Sequence, residues 1–154
     1  MALRMRSPLP SFDGVSNWIN GEPSAESLAG RPVLVHFWSL SCYLCHDTAE
    51  QLAQWRDTYG PQGLVMIGVH QPRSEDELDV AKVEADAKGA MALTQSCAVD
   101  NEHTIVDRFE NSVVPGFYLF NREHQMRHFQ AGGQGLDRMV AAIERVLTEE
   151  SVAA

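Results

Sequence analysis

Two patterns of apolar residues alternate along the chain: short continuous runs, and longer stripes that recur with the period of a helix. Residues 33–38 and 64–69 are near-continuous runs of β-branched, aromatic and other apolar side chains, which is typical of strands buried on both faces. Between them, an apolar stripe predicts one helix over residues 42–59, and Gly60 with Pro61 ends it. The pattern thus begins with a strand, a helix and a second strand.

Weaker helix signals follow the second strand. Ser74 and Glu77 have the spacing of a capping box, in which each side chain bonds the backbone N–H of the other residue. This spacing predicts a helix over residues 75–88. Further on, Asp100 is predicted to cap a short helix that ends at Phe109.

The last third of the chain predicts a hairpin and a long helix. Residues 117–120 and 125–130 are expected to pair as antiparallel strands across a polar turn. Residues 136–147 carry apolar side chains at helical spacing along one face. Strands that alternate with helices and finish in a hairpin and a helix predict an α/β protein, with a mixed sheet covered on both faces.

The same pattern predicts one domain over residues 1–154. Residues 1–31, rich in Pro and Gly, are expected to be an irregular lead-in rather than a second domain. The core is predicted to span residues 32–149, and residues 150–154 are expected to form a frayed tail.

Charge and hydropathy exclude several classes of protein. A formal net charge of −9 and a pI near 5.0 argue against a nucleic-acid partner, which requires a basic face. No stretch approaches the roughly 18–20 apolar residues of a membrane span. We therefore expect a cytoplasmic protein, with a periplasmic or extracellular location as the alternative if the chain is a trimmed part of an exported protein.

Cys42 and Cys45 form a close pair at the start of the predicted helix, and Cys97 stands apart. A thiol in the first turn of a helix lies beside unpaired backbone N–H groups, which favour the thiolate. We therefore expect Cys42 to be the nucleophile and Cys45 to resolve the mixed disulfide. Cys97 is expected to be a buried, small apolar residue rather than a third redox thiol.

Two other uses of the pair stay open at this point. Cys42, Cys45 and His46 also spell the Cys-x-x-Cys-His attachment pattern of c-type haem, a short pattern that often matches by chance. A zinc site requires four ligands, and no second pair at matching spacing accompanies the cysteines. We expect no metal and no cofactor. Neither cysteine stands in the Pro-x-x-x-Thr/Ser-x-x-Cys setting of peroxiredoxins, which argues against a peroxidase.

Two histidines close to the pair are candidates for proton transfer. His36 lies in the first buried strand, where a hydrogen-bonded core role competes with that of a proton relay. His46 follows Cys45 directly and either stabilises a thiolate or points into solvent. The acidic cluster at residues 75–79 is expected to be a solvated helix start.

Residues 35–45, with the sequence Val-His-Phe-Trp-Ser-Leu-Ser-Cys-Tyr-Leu-Cys, resemble the active-site strand and loop of the thioredoxin superfamily. They look most like the TlpA/ResA-like branch, whose pattern is Phe-Trp-x-x-x-Cys-x-x-Cys. The resemblance spans residues 32–147 and implies a thioredoxin-like fold with an inserted helix-containing segment after the second core strand. The chain is also similar to the thioredoxin-like domains of DipZ-type and NHL-repeat proteins.

The resemblance also implies a substrate-binding surface. Pro115 corresponds to the cis proline that faces the cysteine pair in this superfamily, and Val114 to the residue that offers main-chain hydrogen bonds to a bound chain. Tyr43 and Trp38 are expected beside them. The Tyr-Leu spacer between the cysteines, Ser41 in place of the common Trp, and His36 in place of a buried Asp depart from the superfamily pattern.

The predicted activity is that of a thiol-disulfide oxidoreductase that exchanges disulfides with protein substrates through Cys42 and Cys45. Its expected partners are those substrates and an external reductase or oxidase. The alternative is a thioredoxin-fold module that senses redox state or binds proteins with little turnover, because a fold alone does not confer a function.

Overall fold

The computed structural model describes residues 3–149, and the tail predicted at residues 150–154 lies outside them. Its centre is a six-stranded sheet with the strand order β1-β4-β3-β2-β5-β6. The strands are β1 (Asn17–Ile19), β2 (Val33–Trp38), β3 (Val65–His70), β4 (Cys97–Val99), β5 (Gly116–Phe120) and β6 (Met126–Ala131).

Within residues 3–149, six α-helices pack around this sheet. They are α1 (Ala25–Leu28), α2 (Tyr43–Asp47), α3 (Ala49–Tyr59), α4 (Val80–Lys88), α5 (Thr104–Phe109) and α6 (Leu136–Thr148). Two short 3₁₀ turns, Gly60–Gln62 and Glu75–Leu78, precede β3 and α4. Across residues 3–149, no helix has the length and apolar composition needed to cross a membrane.

The sheet is mixed, as predicted. β2 runs parallel to β3, with Trp38 opposite His70, and antiparallel to β5, with Phe37 opposite Gly116. All six residues of β2 are buried, because helices cover both faces of the sheet. The predicted strands at residues 33–38 and 117–120, and the hairpin that follows, are confirmed to within one residue.

The alternation along β2 divides the core into two layers. Leu34 and Trp38 face the layer that contains the disulfide and the buried sides of α3, α4 and α6. Val33, Val35 and Phe37 face the other layer, which contains the buried side of α5. The cysteine pair therefore belongs to a packed core layer and is not an appendage of the surface.

The single helix predicted over residues 42–59 is wrong, because the structure divides it at Thr48. The Thr48 hydroxyl donates to the carbonyl of Cys45 over 2.7 Å, and its N–H donates to the same carbonyl over 3.1 Å. A threonine bonded back to the preceding turn competes with the regular helical ladder and bends the helix. The break separates the dithiol turn, α2, from the longer α3.

The capping box predicted at Ser74 is also wrong. Ser74 makes no side-chain cap bond, and the helix begins instead at Val80, where Asp79 accepts hydrogen bonds from the N–H groups of Ala81 and Lys82. The physical reason is that Glu77, expected to lie in solvent, is 3% exposed and bonds to Ser41 in the loop before Cys42. The rest of the segment between β3 and β4 does contain a helix, as the resemblance implied.

The irregular lead-in predicted at residues 1–31 is wrong in part. It contains α1 and also β1, which pairs antiparallel with β4 at one edge of the sheet. Near the other edge, Pro8 forms a bridge with Gln125, just before β6. The strand was missed because it is three residues long and only Ile19 in it is buried, too little for a periodic signal.

Candidate active site

The cysteine pair stands at the beginning of α2, after β2 has left the sheet. Cys42 and Cys45 are joined by a disulfide, with their Cα atoms 5.2 Å apart. The backbone N–H of Cys45 donates to Sγ of Cys42 over 3.0 Å, so that this side chain caps the helix. Both cysteines are buried, and Cys42, at 3% exposed against 0% for Cys45, is the more exposed residue of the two. An N–H donor at this sulfur favours its thiolate in the reduced protein.

His46 lies between two hydrogen-bond acceptors. Its Nδ1 is 2.7 Å from the carbonyl oxygen of Cys42, and its Nε2 is 2.6 Å from Oδ2 of Asp86 on α4. Because a carbonyl and a carboxylate only accept, an imidazolium, which donates from both ring nitrogens, is the form of the ring that satisfies both contacts. Burial lowers the pKa of His46, but the bond to Cys42 and the bond to and charge of Asp86 outweigh it and raise the pKa. These contacts exclude a His46 that points freely into solvent.

Glu77 holds the residue on the other side of the dithiol. Its carboxylate accepts hydrogen bonds from the hydroxyl of Ser41 over 2.8 Å and from the backbone N–H of Ser41 over 3.4 Å. The backbone N–H of Arg73 donates to it over 3.3 Å, and the Arg73 guanidinium donates to the Ser41 hydroxyl. Burial raises the pKa of Glu77, but the hydrogen bonds from Ser41 and Arg73 outweigh it and lower the pKa. The carboxylate therefore stays ionised at neutral pH.

His70, at the end of β3, is buried behind the same loop. Its Nε2 accepts the N–H of Leu40 over 3.2 Å and lies 3.6 Å from Oε1 of Glu77. Its ring packs edge-on against Trp38, with the centroids 4.9 Å apart. Burial lowers the pKa of His70 to about 4, against the opposing charges of Glu77 and Asp86. His70 is therefore neutral at pH 7, and its contact with Glu77 is not an ion pair.

His36 is held away from the cysteines by other partners. Its Nε2 is 3.1 Å from the side-chain amide of Gln95, and its ring lies against Gly68, where an added Cβ would come within 3.0 Å of it. Burial, and then the charge of Arg56, lower the pKa of His36 to about 3. No hydrogen bond joins His36 to Cys42 or Cys45. The contacts of His36 therefore favour a hydrogen-bonded core role. A role as a proton relay stays a prediction, because His36 makes no contact with either cysteine that would support it.

Trp38 lies beneath the site rather than on its rim. It is 1% exposed, and its indole N–H donates to Sγ of Cys97 over 3.3 Å. The expectation that Trp38 contacts substrate is therefore wrong, because its ring is buried in the core against His70 and Cys97. Cys97 is buried and free, as predicted, and burial raises the pKa of its thiol to about 12.

The peptide bond between Val114 and Pro115 is cis, as the resemblance implied. Because β5 begins at Gly116, opposite Phe37, this bond lies at the end of the sheet where β2 leads into the dithiol loop. The carbonyl of Pro115 accepts from Gly132 over 2.8 Å, whereas the N–H and C=O of Val114 make no hydrogen bond within residues 3–149. The main chain of Val114 is thus available to a bound chain, and its role in substrate binding stays a prediction.

Asn111 supports the loop that precedes the cis bond. Its side-chain amide donates to the carbonyl of Val113 over 2.9 Å and to the side chain of Gln71 over 2.8 Å. Its oxygen accepts the hydroxyl of Tyr118 over 2.8 Å, and burial raises the pKa of that phenol. Asn111 therefore ties the cis-proline loop to β3 and β5.

Exposed apolar side chains surround the disulfide. Tyr43 is 77% exposed and Leu44 is 49% exposed, although both belong to the spacer between the cysteines. A cleft of about 510 Å³ opens beside Leu44, between the break at Thr48 and the glycines Gly132 and Gly133. These side chains give the protein an exposed apolar surface beside the disulfide, and the role of Tyr43 in substrate binding stays a prediction.

Metal ligation finds no support in the arrangement of side chains. Within residues 3–149, no three His, Cys, Asp or Glu side chains come together in a way that could hold a metal ion. His46, the residue shared with the haem pattern, directs both ring nitrogens to protein acceptors. The ligands that either alternative requires are therefore engaged elsewhere or dispersed.

The supporting residues Glu77, Asp86 and Asn111 were missed by the sequence analysis. Their separations from the dithiol loop along the chain are long, and an isolated carboxylate or amide carries no local pattern. His70 could have been found from the sequence, because it is the last residue of a buried parallel strand. Ligand and active sites form at the carboxyl ends of such strands.

A mixed sheet covered on both faces, a helix that starts at a Cys-x-x-Cys disulfide and a cis proline at the same end of the sheet define a thioredoxin-like protein with a redox-active dithiol. Residues 5–129 match the model of the AhpC/TSA family, and the chain belongs to this family. It is 43% identical over 148 residues to the thiol-disulfide oxidoreductase YkuV of Bacillus subtilis, with 96% of this chain and 99% of that protein covered. It is 31% identical over 129 residues to protein DipZ of Mycobacterium tuberculosis, covering 80% of this chain but only 18% of DipZ.

Solved structures agree with this assignment. A solution structure of a thioredoxin-like protein in the oxidized form matches with a TM-score of 0.85 and 42% identity, over 97% of this chain and all of that one. A thiol-disulfide isomerase from Corynebacterium glutamicum matches with a TM-score of 0.77 over 93% of this chain and 97% of its own, and at 21% identity it bears on the fold alone. The predicted fold and the predicted class, thiol-disulfide oxidoreductase, are confirmed by the full-length similarity to YkuV together with the cysteine pair.

Proposed function

We propose that the chain reduces disulfides in protein substrates by a two-cysteine exchange. The Cys42 thiolate attacks a substrate disulfide, and the Cys45 thiol, once deprotonated, displaces the reduced product and leaves the Cys42–Cys45 disulfide. The observation that carries this assignment of roles is the hydrogen bond from the N–H of Cys45 to Sγ of Cys42, with Cys42 the more exposed of the two residues. An external reductase then restores the dithiol.

The substrate in this proposal is an extended polypeptide. The unpaired N–H and C=O of Val114 pair with its main chain, while Tyr43 and Leu44 contact its apolar side chains. We place the reaction in a cytoplasm, in the reducing direction. Supporting this, the third cysteine remains free and no structural disulfide accompanies the redox pair, which is typical of proteins from reducing compartments. In an exported protein the same dithiol would serve oxidation or isomerisation.

Turnover of insulin in the presence of dithiothreitol tests the proposal. We expect the wild type to accelerate insulin reduction well above dithiothreitol alone and Cys42→Ser to remove that acceleration. Cys97→Ser is the matched control, because it removes a thiol that is buried away from the reaction, and it should retain the rate. No acceleration by the wild type would contradict the enzyme and favour the sensing or binding module.

A trapping experiment separates the roles of the two cysteines. Cys45→Ser removes the resolving thiol and should accumulate mixed disulfides between Cys42 and substrate proteins, visible on non-reducing gels. Cys42→Ser should accumulate none, because Cys45 is fully buried. Trapping by Cys42→Ser and not by Cys45→Ser would reverse the assignment.

A further inference from the structure

The segment between β3 and β4 supplies both side chains that fix the ends of the dithiol turn. Glu77 accepts hydrogen bonds from Ser41, the residue before Cys42, and Asp86 accepts one from His46, the residue after Cys45. Only the second contact places a full positive charge beside the reacting residue. The imidazolium touches the backbone carbonyl of Cys42 itself, over 2.7 Å.

We propose that Asp86 is a positioning residue of the dithiol reaction: it holds His46 as an imidazolium against Cys42 and thereby stabilises the Cys42 thiolate relative to the disulfide. Asp86 touches neither the sulfurs nor a substrate and acts through His46. The inference deepens the proposed function and rests on it, because a tuned thiolate has meaning only for a dithiol that exchanges.

The surroundings of His46 leave Asp86 as the group that fixes its orientation. From α4 it is faced by Asp86, with 23% of the side chain exposed, and from its own helix by Asp47, which adds charge without a hydrogen bond. From β2 it is faced by the uncharged ring of Trp38, with the centroids 6.4 Å apart. Without Asp86, Nε2 has no acceptor, and the preference for the charged ring falls.

The redox step defines the direction of the effect. Two glutathione thiols give up two electrons and two protons as they join in oxidised glutathione, and the Cys42–Cys45 bond breaks. One proton goes to Cys45, and the other goes to solvent while Cys42 stays a thiolate. A cation beside Cys42 stabilises the product of this step and leaves the neutral disulfide unaffected. The His46–Asp86 pair therefore makes the protein a stronger oxidant than the same dithiol without it.

Redox titration against glutathione at pH 7 tests the inference, comparing wild type, Asp86→Asn, His46→Gln and the double variant. We expect Asp86→Asn to shift the equilibrium three- to tenfold towards the disulfide, a tenfold shift being about 30 mV. The midpoint of thiolate formation, followed by absorbance of the thiolate, should move upwards by about half to one pH unit. Glu84→Gln is the matched control, since it removes an exposed charge two residues away on α4 that is paired with Lys88 and should leave both values unchanged.

The double variant distinguishes positioning from a structural role. If Asp86 acts through His46, then Asp86→Asn adds nothing in the His46→Gln background, whereas a structural loss would be additive. An unchanged equilibrium in Asp86→Asn, or an equal effect in both backgrounds, would overturn the inference. The measurement requires no turnover, so an inactive wild type would contradict the proposed function and leave this result readable.

A second measurement needs no variant. Because coupling between two sites is reciprocal, a Cys42 thiolate stabilised by the His46 cation raises the pKa of His46 by the same amount. NMR titration of the His46 ring should therefore give a higher pKa in the reduced protein than in the oxidised protein. Equal values in the two states would contradict the inference even if Asp86→Asn did not fold.

Discussion

Two histidine–carboxylate pairs flank the dithiol, and they have opposite charge states. His70 lies 3.6 Å from Glu77 and His46 lies 2.6 Å from Asp86. His70 accepts a backbone N–H at the nitrogen that faces its carboxylate and is fully buried, so it is neutral. His46 donates from both nitrogens and keeps about a quarter of its side chain in solvent, so it is charged.

The comparison shows that proximity to a carboxylate does not by itself charge a histidine. What decides the state is the second partner of the ring, an N–H donor for His70 and a carbonyl acceptor for His46, together with the cost of burial. The two carboxylates also differ in the charge of their hydrogen-bond donors. Glu77 is satisfied by neutral donors and anchors a loop, whereas Asp86 balances a charge.

Removal of the Glu77 carboxylate is expected to have the largest effect on stability. Glu77→Ala leaves the N–H and hydroxyl of Ser41 and the N–H of Arg73 without their acceptor, and it should lower the free energy of unfolding by about 3–4 kcal/mol. Urea unfolding of the oxidised protein measures it. Glu75→Gln, an exposed neighbour in the same turn, should change stability by less than about 0.5 kcal/mol. Equal losses in both variants would show that Glu77 is not an anchor.

A second effect separates the histidines by pH. The folded pKa of His70 is about 4, below the unfolded value of 6.5, so the unfolded chain binds a proton that the folded chain does not between these values. Stability should therefore fall as the pH drops from 6.5 to 4, and His70→Gln should remove roughly 2–3 kcal/mol of that fall. Unfolding in urea across this range measures it, with His128→Gln as control. An acid limb as steep in His70→Gln as in the wild type would refute the prediction.

The stability contributed by the His46–Asp86 pair should show the opposite pH dependence, with a smaller magnitude. The folded pKa of His46 is raised, so its contribution is fully present below pH 6.5 and is lost as the pH rises through the folded pKa. Asp86→Asn should cost about 1 kcal/mol below pH 6.5, because the pair is partly exposed, and progressively less at higher pH. Urea unfolding of both proteins across this pH range measures the difference. A difference in the free energy of unfolding between wild type and Asp86→Asn that increases with rising pH would contradict this prediction.

The smallest effect concerns Arg73. Its guanidinium is exposed and donates to the hydroxyl of Ser41, which Glu77 already engages. Arg73→Met should therefore lower stability by less than about 0.5 kcal/mol, within the range of exposed charged contacts. The same urea series measures it. A loss of stability as large as that of Glu77→Ala would show that Arg73, and not Glu77, is the residue that holds this loop.

Elements with a dense apolar pattern were predictable from the sequence. Residues 33–38 are buried on every side and could be nothing but a central strand, and residues 136–147 repeat on one helical face. The elements that failed are those in which a few polar bonds override the pattern. Thr48 breaks a helix through its hydroxyl, and Glu77 leaves a good capping position for a partner 36 residues away.

The site divides in the same way. The cysteines and the cis proline could be found because short local motifs carry them. Asp86 could not, because its partner His46 is 40 residues away, and nothing in the sequence around Asp86 distinguishes it from Glu84, the other acid of its helix. Trp38 was predicted among the substrate-binding residues because a motif gives neighbours along the chain but not depth in the core.

The N-terminal segment has a consequence for where the protein can be cut. It bridges to Gln125 beside β6 and supplies β1 at the opposite edge, so one stretch of chain shields both margins of the sheet. A fragment that begins at Pro32 would retain every residue of the dithiol chemistry. It would also leave β4 with open backbone groups, an invitation to pair with another copy and aggregate. The residues that carry the dithiol chemistry and the residues that close the edges of the sheet therefore lie in different stretches of the chain.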